Sequence, residues 1–346
     1  MNKKRLYGID MLNLLLAFIT FLFHARIHFD CQFGFLQGFI ENGNICMSGF
    51  FLLSGYTIYY VYNSFDLREI SCIAYFYKKR MITLLPAYYT VIIFFNVILL
   101  SQSLVKKIVV IPIELLGIQC TYNSLFDVEP NNVTWFVSCI IMCYIVYPII
   151  HIVFTQINNI AKVIIATLCV IILLLSPVVV SLYSLSWTYA NPFFRILEFI
   201  IGVAIASLRG KSNEKIIEII ANKYTAILSI VWIVLFVSFC DFIGFGSKNT
   251  MFLSAVNLIP FAIIIYVVGQ IEVGKLFNNR FIAYLRTLTY CFFLSQVFMT
   301  RIGNIVFQYI SCGNILKILI LFMICAVITI MLHELVEKPV KRLLFH

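Results

Sequence analysis

Apolar residues along the chain gather into ten long runs, separated by short segments rich in charge. The runs are residues 10–29, 35–61, 84–101, 134–154, 162–184, 194–209, 222–243, 250–269, 282–304 and 315–335. Most approach the ~20 residues that a helix needs to cross the hydrocarbon core of a bilayer. The pattern predicts an all-α, polytopic transmembrane bundle of about ten spans, occupying residues 1–346 as one domain. Lys and Arg favour alternate connecting segments. Arg68, Lys78, Lys79 and Arg80, then Lys162, then Arg209, Lys211 and Lys215, then Lys275 and Arg280, and last Lys338, Lys341 and Arg342 fall on one side; Lys106, Lys107 and Lys248 fall on the other. Because cytoplasmic loops carry the excess of cations, both termini are expected in the cytoplasm. Lys3, Lys4 and Arg5 lead into an apolar run with no small-residue cleavage site after it, so the first run is expected to stay as a helix. Residues 108–120 form a short apolar piece with Pro112, Glu114 and Gly117, expected to be interfacial or re-entrant. Residues 64–86 read as an amphipathic helix on the cytoplasmic surface, anchored by Tyr75, Phe76 and Tyr77.

The first run carries polar residues at helical spacing. Asp10, Asn13, Ala17, Thr20, His24 and His28 follow one another at steps of three or four and so share one side of a helix. Intramembrane polar groups face protein or a water-filled cavity, so this stripe is expected to look into the bundle. His24 falls about 18 Å into a ~30 Å core, where a neutral imidazole can accept a proton from an alcohol. The other reading of a lone intramembrane His is a hydrogen bond to a neighbouring helix. His24, His28 and Cys31 have helical spacing suited to zinc, but a further ligand is missing and no metal is expected.

Composition fixes the class. The chain is 62% hydrophobic and 12% charged, about half the charge of a soluble domain, with a mean hydropathy of +1.00. Its net charge of +10 sits between apolar runs, which fits anionic lipid headgroups and excludes a nucleic-acid partner. Most of the eleven Cys lie within apolar runs, without metal-type pairing, and read as small buried hydrophobes. No sequence repeat relates the halves.

Several other positions could carry chemistry. Gly49 and Gly55 would let helices approach closely, while Ser54 beside them offers a hydroxyl to a cavity. Lys78, Lys79 and Arg80 precede Leu85-Pro86 where a span enters from the cytoplasm; they anchor the span or clamp the phosphates of a nucleotide such as coenzyme A. Arg195 and Glu198 lie one turn apart and can neutralise each other in apolar surroundings. Glu337-Lys338-Pro339 reads as a helix stop.

In order, these segments resemble the acyltransferase 3 family of integral-membrane O-acyltransferases over nearly the whole chain. That family's first helix has an Asp, a Leu-Arg pair and a His eleven residues after the Arg; the same register here holds Asp10, Leu12-Asn13 and His24. Phe50-Phe51-Leu52-Leu53-Ser54-Gly55-Tyr56, Lys79-Arg80 with Leu85-Pro86, Trp135-Phe136-Val137-Ser138 with Tyr144 and Pro148, Arg195 with Glu198 and Gly202, and Glu337-Lys338-Pro339 resemble further family segments. Three positions depart: the first-helix Arg is Asn13, the second Arg of an RxxR stretch is Thr83, and a His of the ninth span is Gln296.

The resemblance implies transfer of an acyl group, commonly acetyl from acetyl-CoA, to a hydroxyl of a cell-envelope polysaccharide or its lipid-linked precursor. It implies His24 as general base, with Asn13 and Asp10 beside it, and Lys79, Arg80 and Ser54 as donor-binding residues. Expected partners are the glycan or lipid-linked sugar acceptor, acyl-CoA, membrane lipids and the polysaccharide-synthesis machinery, in the cell (inner or plasma) membrane. The alternative is a transporter of polysaccharide or lipid intermediates, or a non-catalytic membrane partner of a glycan synthase.

Overall fold

The computed structural model describes residues 5–99, 104–126, 134–183, 185–209, 219–240, 242, 250–271 and 280–345. The connecting cations Lys3, Lys4, Lys211, Lys215, Lys248 and Lys275 lie outside these residues. Among the described residues every regular element is helical. Seven helices are long and apolar enough to cross a membrane, and eight if one bent pair is a single span.

The first helix, α1 (Tyr7–Phe29), ends at Asp30, whose φ of 52° turns the chain sharply. The predicted run over 35–61 is not one helix. Short helical turns, including α2 (Gln37–Glu41), lead into α3 (Cys46–Tyr62), with Gly34 at a φ of 55° at their start and Gly43 opening the last turn before α3. Gly38 has a structural use, since a Cβ there would overlap the carbonyl of Ser238.

A second correction concerns residues 64–101. Surface helix and span are one element: α4 (Ile70–Ile93) runs straight through Pro86 and continues as a π-helical turn, Phe94–Leu99. Pro86 withdraws an N–H from the ladder. Hydroxyls bind carbonyls on either side of the gap, from Thr83 to Lys79 at 2.9 Å and from Tyr290 to Leu84 at 2.9 Å, as happens where prolines interrupt membrane helices. The segment after it, α5 (Leu104–Leu116), has 13 residues and stops at Gly117, with φ of 67°. It is too short to span.

The remaining helices follow the predicted runs with two breaks. They are α6 (Asn123–Phe126), α7 (Trp135–Gln156), α8 (Asn159–Leu174), α9 (Ser176–Leu182), α10 (Leu185–Tyr189), α11 (Pro192–Leu208), α12 (Lys223–Phe239), α13 (Thr250–Val256), α14 (Leu258–Gln270), α15 (Arg280–Tyr309) and α16 (Asn314–Met331). The pair α13 and α14 meets at 48°. After α16 the chain does not stop at Pro339. A π-helical turn, Leu332–Glu337, passes into α17 (Lys338–Phe345). Pro339 is the second residue of that new helix, where its missing N–H is not needed.

The core forms around α3 and α11. Gly55 faces the carbonyl of Phe199 and Gly202 faces that of Leu52, and a Cβ on either would overlap the opposing backbone. The two helices therefore touch backbone to backbone. This crossing buries Arg195 and Glu198 completely, 2.9 Å apart. Ser48 Oγ donates to Glu198 Oε1 at 2.6 Å, and Arg195 donates to the Tyr189 carbonyl at 2.6 Å. The rings of Tyr189, Trp135 and Phe51 surround the guanidinium, the nearest centroid lying 4.4 Å away.

Candidate functional site

The stripe on α1 meets the bundle unevenly. Ala17 and Thr20 are buried, as a stripe facing protein requires, and Thr20 spends its hydroxyl on the Leu16 carbonyl at 2.9 Å. Asp10 is held between two cations: Arg5 Nε donates to its Oδ2 at 2.9 Å and Arg286 Nη1 at 3.2 Å. That ties α1 to the start of α15. His28 is exposed.

Asn13 opens onto a pair of adjoining cavities of about 190 and 140 Å³ that share Asn13, Ser54, Arg80 and Tyr144. Thr83, Thr289 and Tyr290 line the larger one, and Thr57 the smaller. Five helices, α1, α3, α4, α7 and α15, thus bring hydroxyls, an amide and one cation to a single place.

Arg80 dominates the electrostatics. Its guanidinium lies over the rings of Tyr62 at 5.0 Å and Tyr144 at 5.9 Å. Among the described residues no carboxylate is within ion-pairing distance of it, and its Nε is buried without a hydrogen-bond partner. Arg195, by contrast, has found both an acid and a carbonyl, and Arg209 donates to the Tyr56 hydroxyl at 2.9 Å. A partly desolvated guanidinium with unused donors favours a phosphate or carboxylate ligand. Lys79, next in sequence, is turned elsewhere: its Nζ sits 3.4 Å from the Tyr75 hydroxyl, away from the cavity lining.

His24 stands apart from the Arg80 cavities. Its ring stacks on that of His28 at 5.5 Å with 10° between the planes, and its Nδ1 is buried without a partner among the described residues. Along α1 it lies eleven residues beyond Asn13, about 16 Å. The hydrogen bond to a neighbouring helix that a structural histidine would make is not among those the described residues form. The structure therefore gathers Asn13, Ser54 and Arg80, leaves Lys79 and Asp10 to other partners, and sets His24 three turns farther along the same helix. His24, His28 and Cys31 do not converge within ion-sharing distance. Among the described residues the His, Cys and acid side chains that do are Cys291, His333 and Glu337. In that group Glu337 already accepts from Lys341 and lies 2.7 Å from His333 Nδ1, which satisfies it as a buried ion-pair network.

Sequence reasoning did not single out Thr57, Thr289 or Tyr290. Hydroxyl residues in apolar runs give no periodic signal of their own, and only the packing of α15 against α1 and α4 brings the last two to Arg80. Tyr144 was visible only as part of a family segment.

Comparison with known proteins agrees with this geometry at one level. A family profile described as an acyltransferase domain matches residues 6–334. No curated protein and no solved structure matches the chain. With the profile covering nearly the whole chain and a helical bundle to carry it, this multi-pass membrane protein belongs to the acyltransferase 3 family and is a membrane acyltransferase.

Proposed function

We propose that the protein is an O-acetyltransferase that moves acetyl from acetyl-CoA to a hydroxyl of a cell-envelope polysaccharide or its lipid-linked precursor, in the cell membrane. The unpaired Arg80 guanidinium in a cavity with Ser54 and Asn13 is the observation that carries this reading. In it, Arg80 holds a phosphate of the donor by charge-assisted hydrogen bonds, while Ser54, Asn13 and Tyr144 border the path of the arm. A phosphopantetheine arm, comparable in length to four or five residues of extended chain, reaches about 15 Å. That matches the ~16 Å from Asn13 to His24 along α1.

At the far end His24 acts as general base. It takes the proton of the acceptor hydroxyl as that oxygen attacks the thioester carbonyl, then returns it to the departing coenzyme A thiolate. The unpartnered Nδ1 leaves the ring free of a hydrogen bond that would fix its tautomer. Donor and acceptor are thereby brought together from opposite ends of one helix.

The test is mass spectrometry of the surface glycan from cells with the intact gene, with a deletion, and with His24→Ala. A base-labile acetyl increment that disappears in both altered strains, at unchanged protein level, is the expected result. Full acylation with His24→Ala removes the histidine from the chemistry. Glycan that keeps its acylation but falls in amount supports the transporter or synthase-partner reading instead.

A further inference from the structure

Gln296 is fully buried on α15, and among the described residues neither its Oε1 nor its Nε2 has a hydrogen-bond partner. A buried amide with both ends unmet is costly. Its neighbours have solved the same problem: Ser295 donates to the Phe292 carbonyl at 2.8 Å, and Thr329 donates to Ser295 at 3.1 Å. A polar side chain kept in this state marks a place built for a ligand.

Its position can be fixed by register. Three contacts set α15 beside α1: Arg286 with Asp10, the ring of Phe292 with that of Phe21 at 5.9 Å, and Gly303 with the ring of Phe29. Both residue series rise together, so the helices run in the same direction. Between the second and third contacts, Gln296 falls level with His24. On its own helix Gln296 lies seven residues beyond Thr289, about 10 Å farther along nearly the same face. Thr289 lines the Arg80 cavity. Gln296 thus stands beyond that cavity at the level of the histidine, at a seam where α1 presents the small buried residues Ala17 and Ala25.

We propose that Gln296 is a catalytic residue that binds the acyl carbonyl oxygen. This rests on the acetyl-transfer reading above. As the acceptor oxygen bonds to the carbonyl carbon, the carbonyl electron pair moves onto oxygen, where Nε2–H receives it; His24 takes the hydroxyl proton. Collapse re-forms the carbonyl, breaks the C–S bond, and the thiolate takes the proton from His24. Atoms, electrons and protons balance without a further reactant. An amide aimed in advance at the developing charge is what such a step needs.

Three proteins decide it: wild type, Gln296→Met and Gln296→Glu, purified in detergent and assayed for thermal unfolding and for coenzyme A release from acetyl-CoA with isolated surface glycan as acceptor. Met keeps the shape and removes both unmet polar atoms, so its melting temperature should equal or exceed that of wild type. Its kcat should fall about 100-fold, with KM for acetyl-CoA nearly unchanged. Gln296→Glu, protonated in apolar surroundings, keeps one donor and should retain more turnover than Met. A Met variant that turns over like wild type, or that melts lower or fails to fold, overturns the proposal; the latter outcomes make the amide structural. A silent wild type with intact folding refutes the acetyl-transfer reading itself, and this assignment with it.

Discussion

Removing one member of the buried pair on α11 should cost more than any surface change in the molecule. Glu198 accepts from Arg195 Nη1 with both oxygens at 2.9 Å and from Ser48 at 2.6 Å, and both ionic side chains have no exposed surface. Glu198→Gln leaves the guanidinium charge without its counter-charge, for which buried pairs show losses of about 3–5 kcal/mol. The rings of Tyr189, Trp135 and Phe51 surround the cation in wild type and variant alike and leave that difference unchanged. A loss of about 3–5 kcal/mol is expected, a shift of roughly two orders of magnitude or more in the unfolding equilibrium. Replacing the whole group with Ser48→Ala, Arg195→Met and Glu198→Leu removes both charges and the hydroxyl together. It leaves the Tyr189 carbonyl as the main loss, about 1 kcal/mol. Titration with a denaturing detergent, followed by tryptophan emission, reads the difference, since Trp135 lies 5.3 Å from the guanidinium. A single variant within ~0.5 kcal/mol of wild type, or a triple variant less stable than the single, would refute the reasoning.

Further expectations concern packing, donor binding and acid. Gly55→Ala places a Cβ against the Phe199 carbonyl; the overpacking cost of about 1–3 kcal/mol exceeds the ~1 kcal/mol gained in helix propensity, so the melting temperature should fall. Arg80→Ala removes the unpaired cation and should raise KM for acetyl-CoA about 10- to 100-fold, with Arg80→Lys intermediate, as steady-state kinetics would show. Glu41 has its carboxyl held below its ordinary value of 4.5 by the hydrogen bond from Gln37 and by Arg26. A lowered carboxyl stabilises fully above its unfolded value and loses that contribution as pH falls through the folded one. Stability of wild type should therefore decline more steeply below about pH 4.5 than that of Glu41→Gln in a pH series of melting curves.

The sequence made much of this legible, but unevenly. The stripe on α1 was readable because steps of three and four are a helix's own geometry, and Ala17 and Thr20 do face inward. Gly55 and the Arg195–Glu198 pair were readable for the same reason: local spacing determined what each could do. Where side chains from elsewhere intervene, spacing was silent. Pro86 looked like a boundary because the Tyr290 hydroxyl that binds the Leu84 carbonyl comes from 206 residues away. Pro339 looked like a stop because the π-helical turn that resets the chain before it has no residue signature. Gln296 appeared only as an exchange of one residue type for another; that its amide meets no partner among the described residues is a property of packing.

The contact between Asp10 and Arg286 spans 276 residues of chain. At synthesis rates of about 5–20 residues per second, α1 has been in the membrane for roughly 15–60 s before α15 is made. During that interval α1 rests against what has already emerged: Leu16 lies beside Gly49, Phe23 beside Gly43 and Gly8 beside Val268. The seam holding Gln296 and the wall formed by Thr289 and Tyr290 are completed only once α15 has been made. A chain stalled before α15 consequently has the Arg80 cation but not the wall that Thr289 and Tyr290 give its cavity.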